Sequence, residues 1–172
     1  MDAKQYGEGY QQHLVEQYKL YVQMADNISL RRSQSNQFYI SVLSALLAVV
    51  ALVGKLYGSG EDAQIELVNV AFLCITILGL IICIVWAVNL LSYRQLNSGK
   101  FKVIHEMESM LPYACYDREW AILGQGHSLS KYIPLTNVEV YVPAIMSILH
   151  NSVFVFITQH LMLQLQHLSG PV

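Results

Sequence analysis

The sequence is short of formal charge. Asp, Glu, Lys and Arg make up only 13% of its 172 residues, against roughly 25% in an ordinary soluble domain. None of the four occurs from Ser33 to Gly54, from Leu67 to Tyr93, or from Val140 onward. A charge at the centre of a bilayer is costly, so charge-free apolar runs of this length read as membrane spans. Cysteine is nearly absent too. Cys74, Cys83 and Cys115 give neither a disulfide framework nor a zinc spacing. A secretory leader is also lacking, because the first apolar run begins near Phe38, behind a long polar segment; that run reads as a retained anchor.

Catalytic motifs are missing as well. In His105-Glu106-Met107-Glu108 the second His of a zinc-protease helix is replaced by Ser109. Glu106 and Glu108 would lie ~200° apart on a helix, which suits a solvated polar face and not a carboxylate pair. Asp117 and Glu119 read as capping residues, with Asp117 opening a short helix over 118–123 that Gly124 and Gly126 close. Gly124-Gln125-Gly126 is too short for a phosphate loop. An enzyme would need a convergent nucleophile, base and acid, and the sequence offers none. No catalytic residue, metal or cofactor is expected, and the net charge of −2 gives no global pull toward nucleic acid.

What is present is an ordered arrangement of the few charges. Nine of the ten Lys and Arg residues flank the two spans on one side, and Lys55 alone falls in the connector beside Glu61, Asp62 and Glu66. Lys and Arg stay preferentially on the cytoplasmic side, so both flanks are expected there and the acidic connector outside. The length allows one compact unit.

The expected fold is an all-α integral membrane protein of the bacterial inner membrane. It comprises a cytoplasmic amphipathic helix in 1–37, a transmembrane helix over 38–57, an external turn over 58–66, and a second transmembrane helix over 67–93. A cytoplasmic helical region over 94–136 and a C-terminal helix over 137–168 complete it. The arm carries Leu14, Val15, Tyr18, Tyr21, Val22, Ala25 and Ile28 at helical spacing and can run on through Arg31 and Arg32 into the first span. Small residues at Ser41, Ala45 and Ala48 suit close helix packing in lipid. Past Arg94 the helical pattern continues through Leu96, Val103, Ile104, Met107 and Leu111, until Pro112 ends it. Thr136-Asn137-Val138-Glu139 has the form of a capping box that opens the last helix. That helix reads either as a third span inside an oligomer or as an interfacial helix, because His150, Asn151, Gln159, His160, Gln164 and His167 do not suit a lipid-exposed face.

Two sets of residues are candidates for function. Asn69, Thr76 and Cys83 recur every seven residues along the second span, with Gly79 on the same face. Such a seam points to a partner helix or to water, and so either packs helices or lines a pore. Arg31, Arg32, Arg94, Lys100, Lys102 and Lys131 either contact lipid headgroups or, repeated around an oligomer axis, bind an anion or a nucleic acid. Trp120, with Tyr113, Tyr116 and Tyr132, offers stacking surfaces for bases or simply packs the region.

Asp26, Arg31-Arg32, Asn36 and Phe38, leading directly into a span rich in small residues, resemble the SLATT class of small bacterial two-span effectors. The later run Asn97, Lys100-Phe101, Ile104-His105-Glu106, Leu111-Pro112 and Glu119-Trp120 is similar to that of small membrane proteins encoded beside nucleotidyltransferases, including the Hailong anti-phage effectors. The resemblance implies an oligomer, taken here as a tetramer, that permeabilises the membrane under control of a nucleotide or oligodeoxynucleotide made by a partner nucleotidyltransferase. No catalytic residue comes with it. The alternative is a non-conducting scaffold that recruits a cytosolic partner.

Overall fold

A computed structural model describes residues 3–57, 62–127 and 130–168, and among these every regular element is helical. The elements are α1 (Ala3–Tyr6), α2 (Tyr10–Tyr57), α3 (Asp62–Glu108), α4 (Cys115–Ile122), a short reversal at Gly124–Gly126, α5 (Leu135–Glu139) and α6 (Tyr141–Leu168). Three helices are long and apolar enough to cross a bilayer, over Tyr10–Leu56, Leu67–Glu108 and Tyr141–His160. The all-α membrane class therefore holds.

The amphipathic arm and the first apolar run are one helix. No proline interrupts α2, and its only glycine, Gly54, lies near its end. α3 likewise continues through Gly99 and stops at Glu108, short of the expected Leu111. The N–H groups of Met110 and Leu111 instead bond back three residues, to Met107 and Glu108. That tight turn follows from Pro112, which disfavours helical geometry at the residue before it. The last segment does not start at Thr136. α5 begins at Leu135, and a turn at Val140 separates it from α6. The side chains of Thr136, Asn137, Gln164 and His167, and residues 58–61 of the connector, lie outside the described residues.

The length suggests one compact unit, but the contacts form two. Unit 1 holds Met1–Gln34 and Leu90–Val138, and unit 2 holds Ser35–Asn89 and Glu139–Val172. The 48 residues of α2 and the 47 of α3 each extend for ~70 Å at 1.5 Å per residue, too long for a single globule of this size. All nine flanking cations belong to unit 1, and Lys55 alone to unit 2.

In unit 1 the start of α2 runs antiparallel to the end of α3. Tyr10 donates to Met110 Sδ at 3.3 Å, Tyr18 to Glu108 at 2.9 Å, and Lys100 Nζ stands 4.5 Å over the Tyr21 ring. Leu14, Ala25 and Ile28 of α2 and Ile104 and Met107 of α3 are buried. In unit 2 the pairing is again antiparallel. Trp86 Nε1 donates to Asn36 at 2.9 Å, its ring stacks on Tyr39 at 5.6 Å, and Asn89 donates to Ser35 at 3.2 Å. The buried face of α3 there reads Asn69, Phe72, Thr76, Gly79, Cys83, Trp86, alternating steps of three and four as in coiled-coil packing. α6 presents a narrower line, Pro143, His150 and Ile157, each seven apart and each buried.

Candidate functional site

Unit 1 contains a cavity of about 490 Å³, within the ordinary range for small-molecule sites. One wall is a single face of α3. Arg94, Ser98, Phe101 and His105 follow one another at three- and four-residue steps, with Asn97 and Lys102 at the flanks. The opposite wall is α4, through Tyr116, Glu119, Trp120 and Leu123, and Tyr132 and Pro134 close the mouth. Phe101 and Tyr116 meet edge to face at 5.6 Å inside it. Cations on one side and aromatic rings on the other suit an anion that carries a flat apolar group.

Trp120 is held from behind by the reversal after α4. Gly124, Gln125 and Gly126 all take left-handed backbone angles, with φ of 75°, 53° and 76°. A Cβ on Gly126 would stand 3.2 Å from the Trp120 ring, so glycine serves there both for its conformation and for the close approach.

The front of α4 is fixed by a residue that sequence reasoning placed on a solvated face. Glu108 is 1% exposed. Its Oε1 accepts the Tyr116 N–H at 2.8 Å and the Tyr18 hydroxyl at 2.9 Å, and its Oε2 accepts the Asp117 N–H at 3.1 Å. The free amides at the start of a helix need acceptors, and α4 is entered through Ala114, which supplies none. The expected N-cap at Asp117 is thus corrected: Asp117 lies in the first turn, and a carboxylate from the end of α3 does the capping. Burial first, then the hydrogen bond to Glu108 and its charge, push the Tyr18 hydroxyl above its ordinary range. Tyr116 is raised too, by burial first and then by the charges of Asp26, Glu119 and Glu108.

Of the residues expected to meet a ligand, Arg94, Lys102 and Trp120 line this cavity. Lys100 does not; it is 9% exposed and occupied with the Tyr21 ring. Arg31 and Lys131 are exposed elsewhere in unit 1, Arg32 is half-buried, and none of the three lines the cavity. Sequence reading did not single out Ser98, Leu123 or Pro134, and it gave His105 and Glu119 other roles. The helical spacing from Arg94 to His105 was the signal available for the α3 wall.

The second candidate set lies in unit 2, inside the chain. Asn69 is 9%, Thr76 0% and Cys83 3% exposed, and Gly79 is buried. Thr76 returns its hydroxyl to its own helix, at the Phe72 and Leu73 carbonyls. The His150 ring of α6 rests directly on Gly79, where any Cβ would overlap it. His150 Nδ1 is 2.9 Å from the Met146 carbonyl, which can only accept, so Nδ1 carries the proton. Nε2 has no partner among the described residues. Asn151, Gln159 and His160 are exposed. Among the described residues no cluster of three metal-ligating side chains forms.

Residues 15–159 match the family described as the octameric membrane protein family (8xMP). No curated protein and no solved structure matches the chain.

Proposed function

The chain belongs to the octameric membrane protein family, which covers residues 15–159, and from that premise we propose that it is a ligand-gated pore subunit. Its family makes it an oligomeric membrane protein. The family's name favours eight copies over the tetramer expected from sequence. In this reading the copies form an ion-permeable assembly in the bacterial inner membrane, with the N-terminus and unit 1 cytoplasmic. A nucleotide or oligodeoxynucleotide from a partner nucleotidyltransferase controls it, and opening depolarises and arrests a phage-infected cell, as the likeness to SLATT and Hailong effectors suggests. No catalytic step is assigned to it.

One observation carries the gating part: the cavity between α3 and α4, where Arg94 and Lys102 face Trp120. α6 is taken as a third span, because His150 seats on Gly79, near the middle of the charge-free stretch of α3. A ligand acts by binding the closed assembly more tightly than the open one.

The test is membrane potential in cells expressing the chain at native level, with and without the nucleotidyltransferase. The expected result is depolarisation that depends on the enzyme, and a Lys102→Ala, Trp120→Ala double variant that no longer responds to it. An unchanged potential under both conditions would overturn the pore reading.

The burial of Asn69, Thr76, Gly79 and Cys83 favours the second reading, a non-conducting scaffold, since that seam is already filled by the chain's own helices. A scaffold predicts a stable complex with a cytosolic partner and no leak from liposomes that hold the purified protein.

A further inference from the structure

Unit 1 bears a second concavity, of about 640 Å³, between the arm of α2 and the end of α3. Tyr10, Leu20 and Met24 line one side, and Val103, Met107 and Met110 the other. None of its lining residues is Asp, Glu, Lys or Arg, although unit 1 holds nine of the chain's ten Lys and Arg residues. Leu20 and Met24 are 61% and 49% exposed. They lie in the charge-bearing part of α2, where lipid tails cannot cover them.

The groove is also on a defined side. At ~100° per residue, Val103, Met107 and Met110 point ~180° away from Arg94, Phe101 and His105, which face the other cavity. That opposite side is covered by α4 and the strand of chain leading through α5. Its outer surface is again apolar, with Ile122, Ile133 and Leu135 at 61%, 58% and 61% exposure, and no charge occurs from Tyr132 to Val138.

We infer that these two faces meet between copies of this chain, the groove of one copy receiving the Ile133–Leu135 segment of the next. The inference rests on the many-copy assembly proposed above. Copies arranged around one axis need two different, complementary faces on each protomer, since like-to-like contacts close as pairs. The match in charge is specific: neither face would bury an unpaired ion against the other, which is the costly way for an apolar interface to fail. A second copy fits better than another protein because the family is one of assemblies.

The test uses the full chain in detergent or nanodiscs, with the exposed Cys74 and Cys115 changed to Ala and the buried Cys83 left in place. Met110→Cys together with Leu135→Cys should give, on mild oxidation, a ladder of covalent multimers up to the size of the native assembly. Either substitution alone should give none. Both sites are exposed, at 46% and 61%, so neither change disturbs a core. A Leu20→Glu variant should lose the multimer while keeping its helical circular dichroism. Dimers from Met110→Cys alone would overturn the inference in favour of paired grooves. Absent cross-links in a protein whose native mass is still that of many copies would overturn the contact and leave the assembly standing. A single-copy native mass would overturn the assembly itself, and the contact with it.

Discussion

Glu108 is a buried carboxylate that faces no cation. It is stabilised by two backbone amides and one phenol, an arrangement that favours the charged form without a salt bridge. Glu108→Gln should weaken the α4 start by about 1 kcal/mol, the usual scale of a lost cap. The expected sign is faster hydrogen exchange at the Tyr116 and Asp117 amides, with little change elsewhere in α4's neighbours. The raised Tyr18 and Tyr116 hydroxyls set the alkaline behaviour. A phenol whose folded-state pKa lies above its unfolded value of ~10 contributes stability that is complete below that pH. The contribution is lost as pH rises toward the folded value, because the unfolded chain releases its proton first. Thermal stability in detergent should therefore fall between pH 10 and 12, and Tyr18→Phe should reduce the fall. None of this was readable locally. Tyr18 and Glu108 are 90 positions apart, and nothing around either one distinguishes a buried cap from a solvated glutamate.

At the scale of elements, the long helices were legible and their seats were not. Charge-free runs are dictated by the bilayer, and the recurrence of Asn69, Thr76 and Cys83 is a local pattern; both survive without knowledge of partners. The seam's destination is different. Asn36 meets Trp86 and Ser35 meets Asn89 because α2 returns beside α3, and periodicity specifies a face without saying what lies against it. Gly79 is the sharpest case, since its need for glycine depends on His150 in another helix. Gly79→Ala should destabilise the α3–α6 packing by about 1–3 kcal/mol, the range for an overfilled site. Adding His150→Ala should restore most of that loss. Thermal unfolding of the two single variants and the double variant in one detergent measures it, and additive effects would mean that the two residues are not in contact.

For the whole molecule, the one-sided placement of Lys and Arg coincides with the division of contacts into two units, so the sequence-level reading of charge anticipated a real boundary in the chain. It did not anticipate that the boundary would cut through α2 and α3, because charge marks where a helix leaves lipid and not where it ends. The uncharged tail carries no such marker. If α6 crosses the bilayer, the number of spans is odd and the two termini lie on opposite sides. A cysteine appended after Val172 should then react with a membrane-impermeant maleimide in intact spheroplasts, whereas one at Glu8 should react only after lysis. Labelling of both or of neither in intact spheroplasts would rule out the three-span arrangement.

The seat of His150 on Gly79 also limits how this molecule can move. Were α6 to slide one turn along α3, its imidazole would meet Thr76 or Cys83, each with a Cβ where glycine has none, while Met146 or Phe154 would be carried toward the notch. Axial slippage is thereby blocked by shape alone. What the notch leaves open is rotation about it, so α6 is built to rock or swing around a fixed pivot near its middle, with its two ends travelling in opposite directions.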